Sequence, residues 1–252
     1  MRPKVLLAIT PHPDDESLMF GGTLAKYGQD EDVKTNLITV TRGQKGSLGP
    51  RYLGVTRKKL GEKREQELRC AAKILKIDHL YILDYQDGEV PAVEENIAVA
   101  SLIRLIRKIN PQVVITFGPD GGYGHPDHIA VCHWVTEAVR FIKGVEKLYY
   151  YAIKKDFATS FIKYFGKIPL NGELLEIAIH DAAYIDATLD CRQFTEQKFK
   201  AIHCHQTQEF DTKRFDLLRR LNVKSMISDD NYHLAFARGN FPTPETDLFA
   251  GI

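Results

Sequence analysis

The 252-residue chain carries 34 Lys and Arg against 33 Asp and Glu, a formal net charge of +1, with 44% hydrophobic and 27% charged residues. That composition belongs to a globular protein with a sizeable core. The near-zero charge gives no general attraction to nucleic acid, and no apolar run approaches the roughly 18 residues of a membrane span.

The first apolar run, Val5-Leu6-Leu7-Ala8-Ile9, stops at Thr10-Pro11-His12-Pro13. It is shorter than a secretory signal core and lacks a small-residue cleavage site, so it reads as a buried strand. A helix is expected from Ser17 to Tyr27 and a second strand from Val33 to Thr41. Arg42 to Leu60, with Gly43, Gly46, Gly49, Pro50 and Gly54, reads as a long functional loop. The apolar stripe Leu68, Ala71, Ala72, Leu75 predicts a helix over 62–75, followed by a strand over 79–83. A helix over 94–108, a strand over 113–117, a helix over 129–141 and a strand over 147–153 follow. The alternation predicts an α/β, Rossmann-like, doubly wound and mainly parallel sheet of order 3-2-1-4-5, with helices on both faces.

After residue 153 the rhythm changes. The aromatic segment Asp156 to Phe165 reads as a packed insert, with a lid, a subunit contact or a membrane-surface helix as alternatives. A strand over 182–189, helices over 194–203 and 212–221, and a closing strand over 232–237 complete the chain. With no repeat and no linker, residues 1–252 read as a single domain, its core about 1–153 and a C-terminal α+β elaboration about 154–252. Cys70, Cys132, Cys191 and Cys204 form no C-x-x-C pair. They read as reduced, partly buried thiols of a cytoplasmic protein, without a disulfide framework or a Cys-rich zinc site.

The turn after the first strand is Pro11-His12-Pro13-Asp14-Asp15-Glu16. A dinucleotide fold would place G-x-G-x-x-G there; a histidine and three acids would instead repel a pyrophosphate, which argues against a nicotinamide-dependent oxidoreductase. The second polar turn, Gly121-Gly122-Tyr123-Gly124-His125-Pro126-Asp127-His128, follows the fourth strand. Each turn alone could merely cap a helix. In the order 3-2-1-4-5, however, strands one and four are neighbours whose crossovers leave in opposite directions, opening a crevice at their carboxyl ends. The topology would bring His12, Asp15 and His128 together although they lie more than 100 residues apart. Two histidines and a carboxylate make a three-ligand catalytic metal site with a position left for water.

These paired turns resemble those of the LmbE-like or PIG-L family of zinc-dependent N-acetylglucosaminyl deacetylases. His12-Pro13-Asp14-Asp15-Glu16 and His125-Pro126-Asp127-His128 carry the resemblance. Thr41-Arg42-Gly43, Arg64-x-x-Glu67 and His205-Gln206-Thr207-Gln208 add weaker features. The glycine-rich second turn is particularly similar to that of mycothiol-pathway deacetylases, which act on an N-acetylglucosaminyl-inositol, whereas Gln44 stands where many relatives have Glu.

The resemblance implies that His12, Asp15 and His128 hold zinc and that Asp14 is the general base. It implies His125 as general acid or electrostatic stabiliser oriented by Asp127, Tyr123 as an oxyanion donor, and Arg64 as a contact to substrate hydroxyls. Such a site would lower the pKa of water from about 15.7 to about 7 and polarise an acetyl carbonyl. It would also aim donors at the oxyanion that forms. The expected activity is removal of acetate from an N-acetylglucosamine-containing small molecule. Hydrolysis of a different amide and a non-catalytic sugar- or metal-binding role are the alternatives. Another divalent metal would suit the same ligands. The expected partner is a small aminosugar conjugate, and the aromatic insert or the C-terminal helices could serve a homo-oligomer. His203 and His205 read as a helix end rather than a second metal site, the basic stretch Arg57, Lys58, Lys59, Lys63 and Arg64 as a solvated helix face with contact to an anionic substrate group as the alternative, and His180-Asp181 as a candidate pocket edge.

Overall fold

A computed structural model describes residues 3–46, 52, 54–170, 172–223 and 228–252. Strand β1 (Lys4–Thr10) is followed by short α1 (Asp15–Leu18), α2 (Gly21–Gly28), β2 (Val33–Thr41), α3 (Arg57–Ile74) and β3 (His79–Tyr85). Then come α4 (Glu95–Ile109), β4 (Val113–Thr116), the one-turn α5 (Gly121–Gly124), α6 (Pro126–Arg140) and β5 (Lys147–Tyr151). The remainder is α7 (Lys155–Phe165), the hairpin β6 (Ile168–Leu170) and β7 (Glu173–Leu175), β8 (Ala187–Asp190), α8 (Thr195–Ile202), α9 (Glu209–Arg220) and β9 (Asp229–Ala237).

The main sheet runs β3-β2-β1-β4-β5-β9-β8. The pairs β1·β2, β1·β4, β2·β3 and β4·β5 are parallel, so the expected order 3-2-1-4-5 is present. Antiparallel β9 and β8 extend that sheet beyond β5. The reason β1 reads as an unbroken apolar run is coverage on both faces. Leu6 and Ala8 point into one core with Leu24, Leu37 and Leu68. Leu7 and Ile9 point into the other with Leu102, Ile106 and Trp134. A third apolar cluster, including Phe157, Phe161, Phe199, Phe215 and Leu218, sits under the C-terminal helices.

Local departures from expectation have local causes. The helix expected over 17–27 is broken at Met19 and Phe20 into α1 and α2. α3 begins at Arg57 rather than Glu62, because Thr56 caps it by accepting from the Lys59 N–H; this shortens the expected loop 42–60, of which 47–51 and 53 lie outside the described residues. In the strand expected over 182–189, residues 182–184 form a 3-10 turn and only Ala187–Asp190 is extended. The β6–β7 hairpin had no sequence expectation; each of its strands is three residues long.

The reading of four reduced cysteines is corrected. Cys70 and Cys204 form a disulfide, with Cα atoms 5.8 Å apart. Their separation of 134 residues hides the pair in the sequence; α3 packing on α8 creates it. Cys132 and Cys191 are free and buried. Among the described residues no helix is long and apolar enough to cross a membrane.

Candidate metal centre and cavity

The turn leaving β1 holds an unusual backbone. Asp14 has φ 116°, a region that costs an L-residue energy unless its surroundings fix it. Here they do. The buried Arg64 on α3 donates to the carbonyls of Gly43 and Pro13 and to Asp14 Oδ2, the last at 2.9 Å. Glu16 Oε2 accepts from the Asp14 N–H at 2.9 Å. Glu16, fully buried, also bonds His205 Nε2 at 2.7 Å. Burial pushes the Glu16 carboxyl up, but His205 outweighs it and holds the group below its ordinary value.

The second turn is shaped by glycine. Gly121, Gly122 and Gly124 all have positive φ, and Asp120 Oδ1 accepts from the Gly122 N–H at 2.5 Å. Pro126 then opens α6, with His125 as its N-cap.

The two turns meet. His12 Nδ1 lies 3.2 Å from His128 Nε2 and 3.6 Å from Asp15 Oδ2; His128 Nε2 lies 3.6 Å from Asp15 Oδ1. The ligand atoms of His12, Asp15 and His128 all lie within 4.8 Å of one another, and all three residues are buried. Two ring nitrogens facing each other at hydrogen-bond distance beside a buried carboxylate suit a shared cation. Two imidazoles and a carboxylate are a donor set of first-row divalent metals. The residues present therefore fit a divalent ion. His128 Nδ1 has no hydrogen-bond partner among the described residues.

His12 Nε2 faces the other way, 3.1 Å from Asp127 Oδ2 and 3.2 Å from Asp87 Oδ1. These carboxylates occupy the position from which an outer partner fixes a ligand imidazole. A second group, His12, His125 and Asp127, is also close enough to hold an ion. It shares His12, and its use would take Asp127 from this outer position. Burial lowers the His12 pKa, but Asp127 and Asp87 outweigh it and raise it to about 10. Burial raises Asp15 to about 8 against the pull of His12.

The other expected residues line the same cavity in part. Asp14 is raised to about 6 by burial, with Arg64 pulling it down. His125 is lowered to about 4 by burial and by the charge on His12. Its Nδ1 accepts from the Asp127 backbone N–H at 3.1 Å. Asp127 thus orients His125 through the main chain; its carboxylate goes to His12 and to the Gly88 N–H, at 2.7 Å. Tyr123 packs edge-on to the rings of His125 and His128, and burial pushes its hydroxyl well above the ordinary value.

Arg64 reaches the cavity, but its hydrogen bonds fix Asp14 and the two loops. His180 bonds Asp120 and the Ile153 N–H, outside the cavity wall, and His203 pairs with Asp216. The backbone of Lys45 donates to Asp87 at 2.6 Å. Asp87 had no expectation. Its only signal is position, an Asp-Gly pair just beyond the carboxyl end of a parallel strand, as for the two histidine turns.

The His205-Gln206-Thr207-Gln208 segment closes the site from behind. Thr207 donates through its N–H at 2.9 Å and its hydroxyl at 2.6 Å to Glu67 of α3, while His205 holds Glu16. The cavity in front measures about 460 Å³. His12, Asp14, Asp15, Asp87, His125 and Arg64 are among the residues that line it.

A sequence profile described as PIG-L: GlcNAc-PI de-N-acetylase matches residues 7–139. A 1D-myo-inositol 2-acetamido-2-deoxy-alpha-D-glucopyranoside deacetylase 2 of Catenulispora acidiphila is 30% identical, over 99% of this chain and 98% of its own. Among solved structures, the N,N'-diacetylchitobiose deacetylase of Pyrococcus horikoshii is similar at TM-score 0.63 and 22% identity, over 92% of this chain and 83% of its own. The 4-carboxy-2-hydroxymuconate hydratase GalB of Pseudomonas putida is similar at TM-score 0.68 and 17% identity, over 95% and 99%. These structural likenesses show the fold; a hydratase among them means that the fold by itself does not choose the chemistry.

Proposed function

The chain belongs to the PIG-L family of de-N-acetylases, and on that premise we propose that it hydrolyses the acetamide of an N-acetylglucosaminyl conjugate. The observation that carries this reading is the buried cluster of His12, Asp15 and His128 with the Asp14 carboxylate beside it in the wall of a cavity. In this reading His12 through Nδ1, Asp15 through its carboxylate and His128 through Nε2 hold a divalent ion, zinc by family likeness. When bound, that ion supplies Lewis-acid polarisation of the acetyl carbonyl and acidifies water.

The chain's own groups do the rest. Asp14, fixed by Arg64 and Glu16, takes the proton of the attacking water; burial keeps its pKa close to working pH, as a general base requires. The backbone N–H at His125 Nδ1 leaves the ring proton on Nε2. With its pKa held low, His125 acts as a neutral N–H donor to the developing oxyanion, the stabilising role among its two expected roles. Tyr123, kept protonated, is the second donor. The proton for the leaving amine then comes from Asp14, which holds the one it took from water. Arg64 acts by positioning Asp14. The substrate is a small aminosugar conjugate. A cytoplasmic setting and self-association remain part of the proposal, tested by cell fractionation with thiol titration and by light scattering.

Acetate release from N-acetylglucosaminyl-inositol, N-acetylglucosaminyl-malate and chito-oligosaccharides, before and after chelation, tests the reading. Chelator-sensitive release is expected, with Asp14→Asn slowing it about 10²- to 10⁴-fold while metal content stays unchanged. Metal-loaded protein that releases acetate from no N-acetylglucosaminide would overturn the reading.

A further inference from the structure

The cavity has two chemically distinct sets of lining residues. One belongs to the metal-ligand cluster and its acids. The other is the apolar wall given by the α7 face, the β6 strand and the start of α9: Phe157, Phe161, Ile168, Leu170, Phe210 and Phe215. Leu18, Phe117, Ile153 and Ile177 line the same cavity, and the Phe117 ring lies 4.2 Å from that of His128. The polar side chains that α9 adds are Asp211 and Arg214, which pair with each other at 3.0 Å.

We propose that the aglycone of the substrate is apolar, an alkyl or aryl group seated between α7, β6 and α9 while the aminosugar sits at the ligand cluster. The inference rests on the deacetylase reading and adds the substrate class. Two observations carry it: both sets of residues line one cavity, and the second set is apolar. The acetamide must reach the ligand cluster for hydrolysis. The remainder of a conjugate then has the rest of the same cavity to fill. A polyhydroxylated cyclitol there would lose water from its hydroxyls against Phe157, Phe161 and Ile177, which offer no hydrogen bond in return. An alkyl or aryl group loses nothing of that kind and gains the burial of its surface. The wall is specific to this region of the chain. It is built from the aromatic insert and α9, neither of which supplies a metal ligand. Phe157, Phe161 and Phe215 pack on one another with ring centroids 6.1 and 6.2 Å apart. The wall is thus preformed, which keeps the ordering cost of binding small.

The test is kcat/KM for acetate release by metal-loaded protein across N-acetylglucosaminides of methyl, butyl, hexyl and phenyl type, kept below micellar concentration, with N-acetylglucosaminyl-inositol alongside. Expected is a rise of up to about fourfold per methylene until the wall is covered, and a lower value for the inositol conjugate than for the hexyl one. Phe210→Ala, a rim residue that is 50% exposed and so tolerates truncation, is expected to flatten the dependence on chain length. Calorimetry with hexyl glucosaminide, the deacetylated product, adds a readout without catalysis: a negative heat-capacity change that grows with chain length. Release at one rate from every alkyl member, or a preference for the inositol conjugate, overturns this inference and leaves the deacetylase reading standing. Release from none of them overturns the deacetylase reading, and this inference with it.

Discussion

Asp87 illustrates how much of the site is second-hand geometry. It touches His12 at the nitrogen that points away from Asp15 and His128, and it is itself fixed by the Lys45 N–H. Together with Asp127 it settles which face of the imidazole is offered to the cluster. Asp87→Asn keeps the shape and an acceptor for Lys45 but removes the charge beside His12. We expect divalent-metal affinity to fall about 10- to 100-fold, measured by competition with a chromogenic chelator, with an unchanged circular dichroism spectrum. An affinity within twofold of the unsubstituted protein would remove Asp87 from the metal site. His12, Asp14 and Asp15 are legible in the sequence because each stands within a few residues of the others, as do His125, Asp127 and His128. Asp87 stands between a strand and a 3-10 turn with the exposed Asp84 and Glu89 on either side, and nothing in that spacing singles it out. The route taken by the Asp127 carboxylate was equally hidden: its expected partner was His125, two residues earlier, but the chain turns the carboxylate towards His12.

The 3-10 turn at Gln206–Gln208 shows how elements remote in sequence hold the catalytic turn. It is tied to α3 twice, by Thr207 to Glu67 and by the Cys70–Cys204 disulfide, and to the β1 turn by His205 to Glu16. The hydrogen bonds and the disulfide have different consequences. The two buried acids orient the site; the disulfide closes a loop of 134 residues and acts mainly on the unfolded chain. In the chain-entropy view it contributes about 5 kcal/mol. Cys70 is exposed, so a reductant reaches the bond in the folded protein. Treatment with dithiothreitol, or Cys70→Ser, is therefore expected to lower the melting temperature by roughly 10 to 20 °C while acetate release at 25 °C stays within twofold. A parallel collapse of activity would mean that the disulfide, and not Glu67 and Glu16, positions the turn. The sequence offered the His-Gln-Thr-Gln segment a role in shaping the site rim or an interface, without saying which. Its task depends on α8 packing against α3, which no local pattern encodes.

At the scale of the molecule, the reversal of crossover direction between β1 and β4 places both histidine turns at the same edge of the sheet. The strand order was readable because buried parallel strands are apolar throughout and alternate with amphipathic helices. The antiparallel extension by β9 and β8 was not: Tyr232 to Ala237 reads as a closing strand, whereas β9 lies inside the sheet with β8 at its edge. The same topology makes metal binding a matter for the whole fold. His12 and Asp15 follow β1 and His128 lies in the first turn of α6 after β4, so one ion would bridge the two halves of the doubly wound sheet. Asp15, Asp87 and Asp127 surround the ring of His12, and burial pushes the Asp15 carboxyl upward. An ion that binds the folded chain and not the unfolded one stabilises it by about 2.7 kcal/mol at a hundred times its dissociation constant. For a domain of this length that corresponds to roughly 5 to 10 °C in melting temperature. Chelation is expected to lower the melting temperature by that amount and added zinc to restore it. His128→Ala should abolish the response without abolishing folding. The response should also saturate at one ion per chain, since both candidate ligand groups share His12. A melting temperature indifferent to chelator and to zinc, in protein shown to lose and regain the ion, would mean that the two turns are held together by the sheet alone and that the ion contributes to chemistry without contributing to the fold.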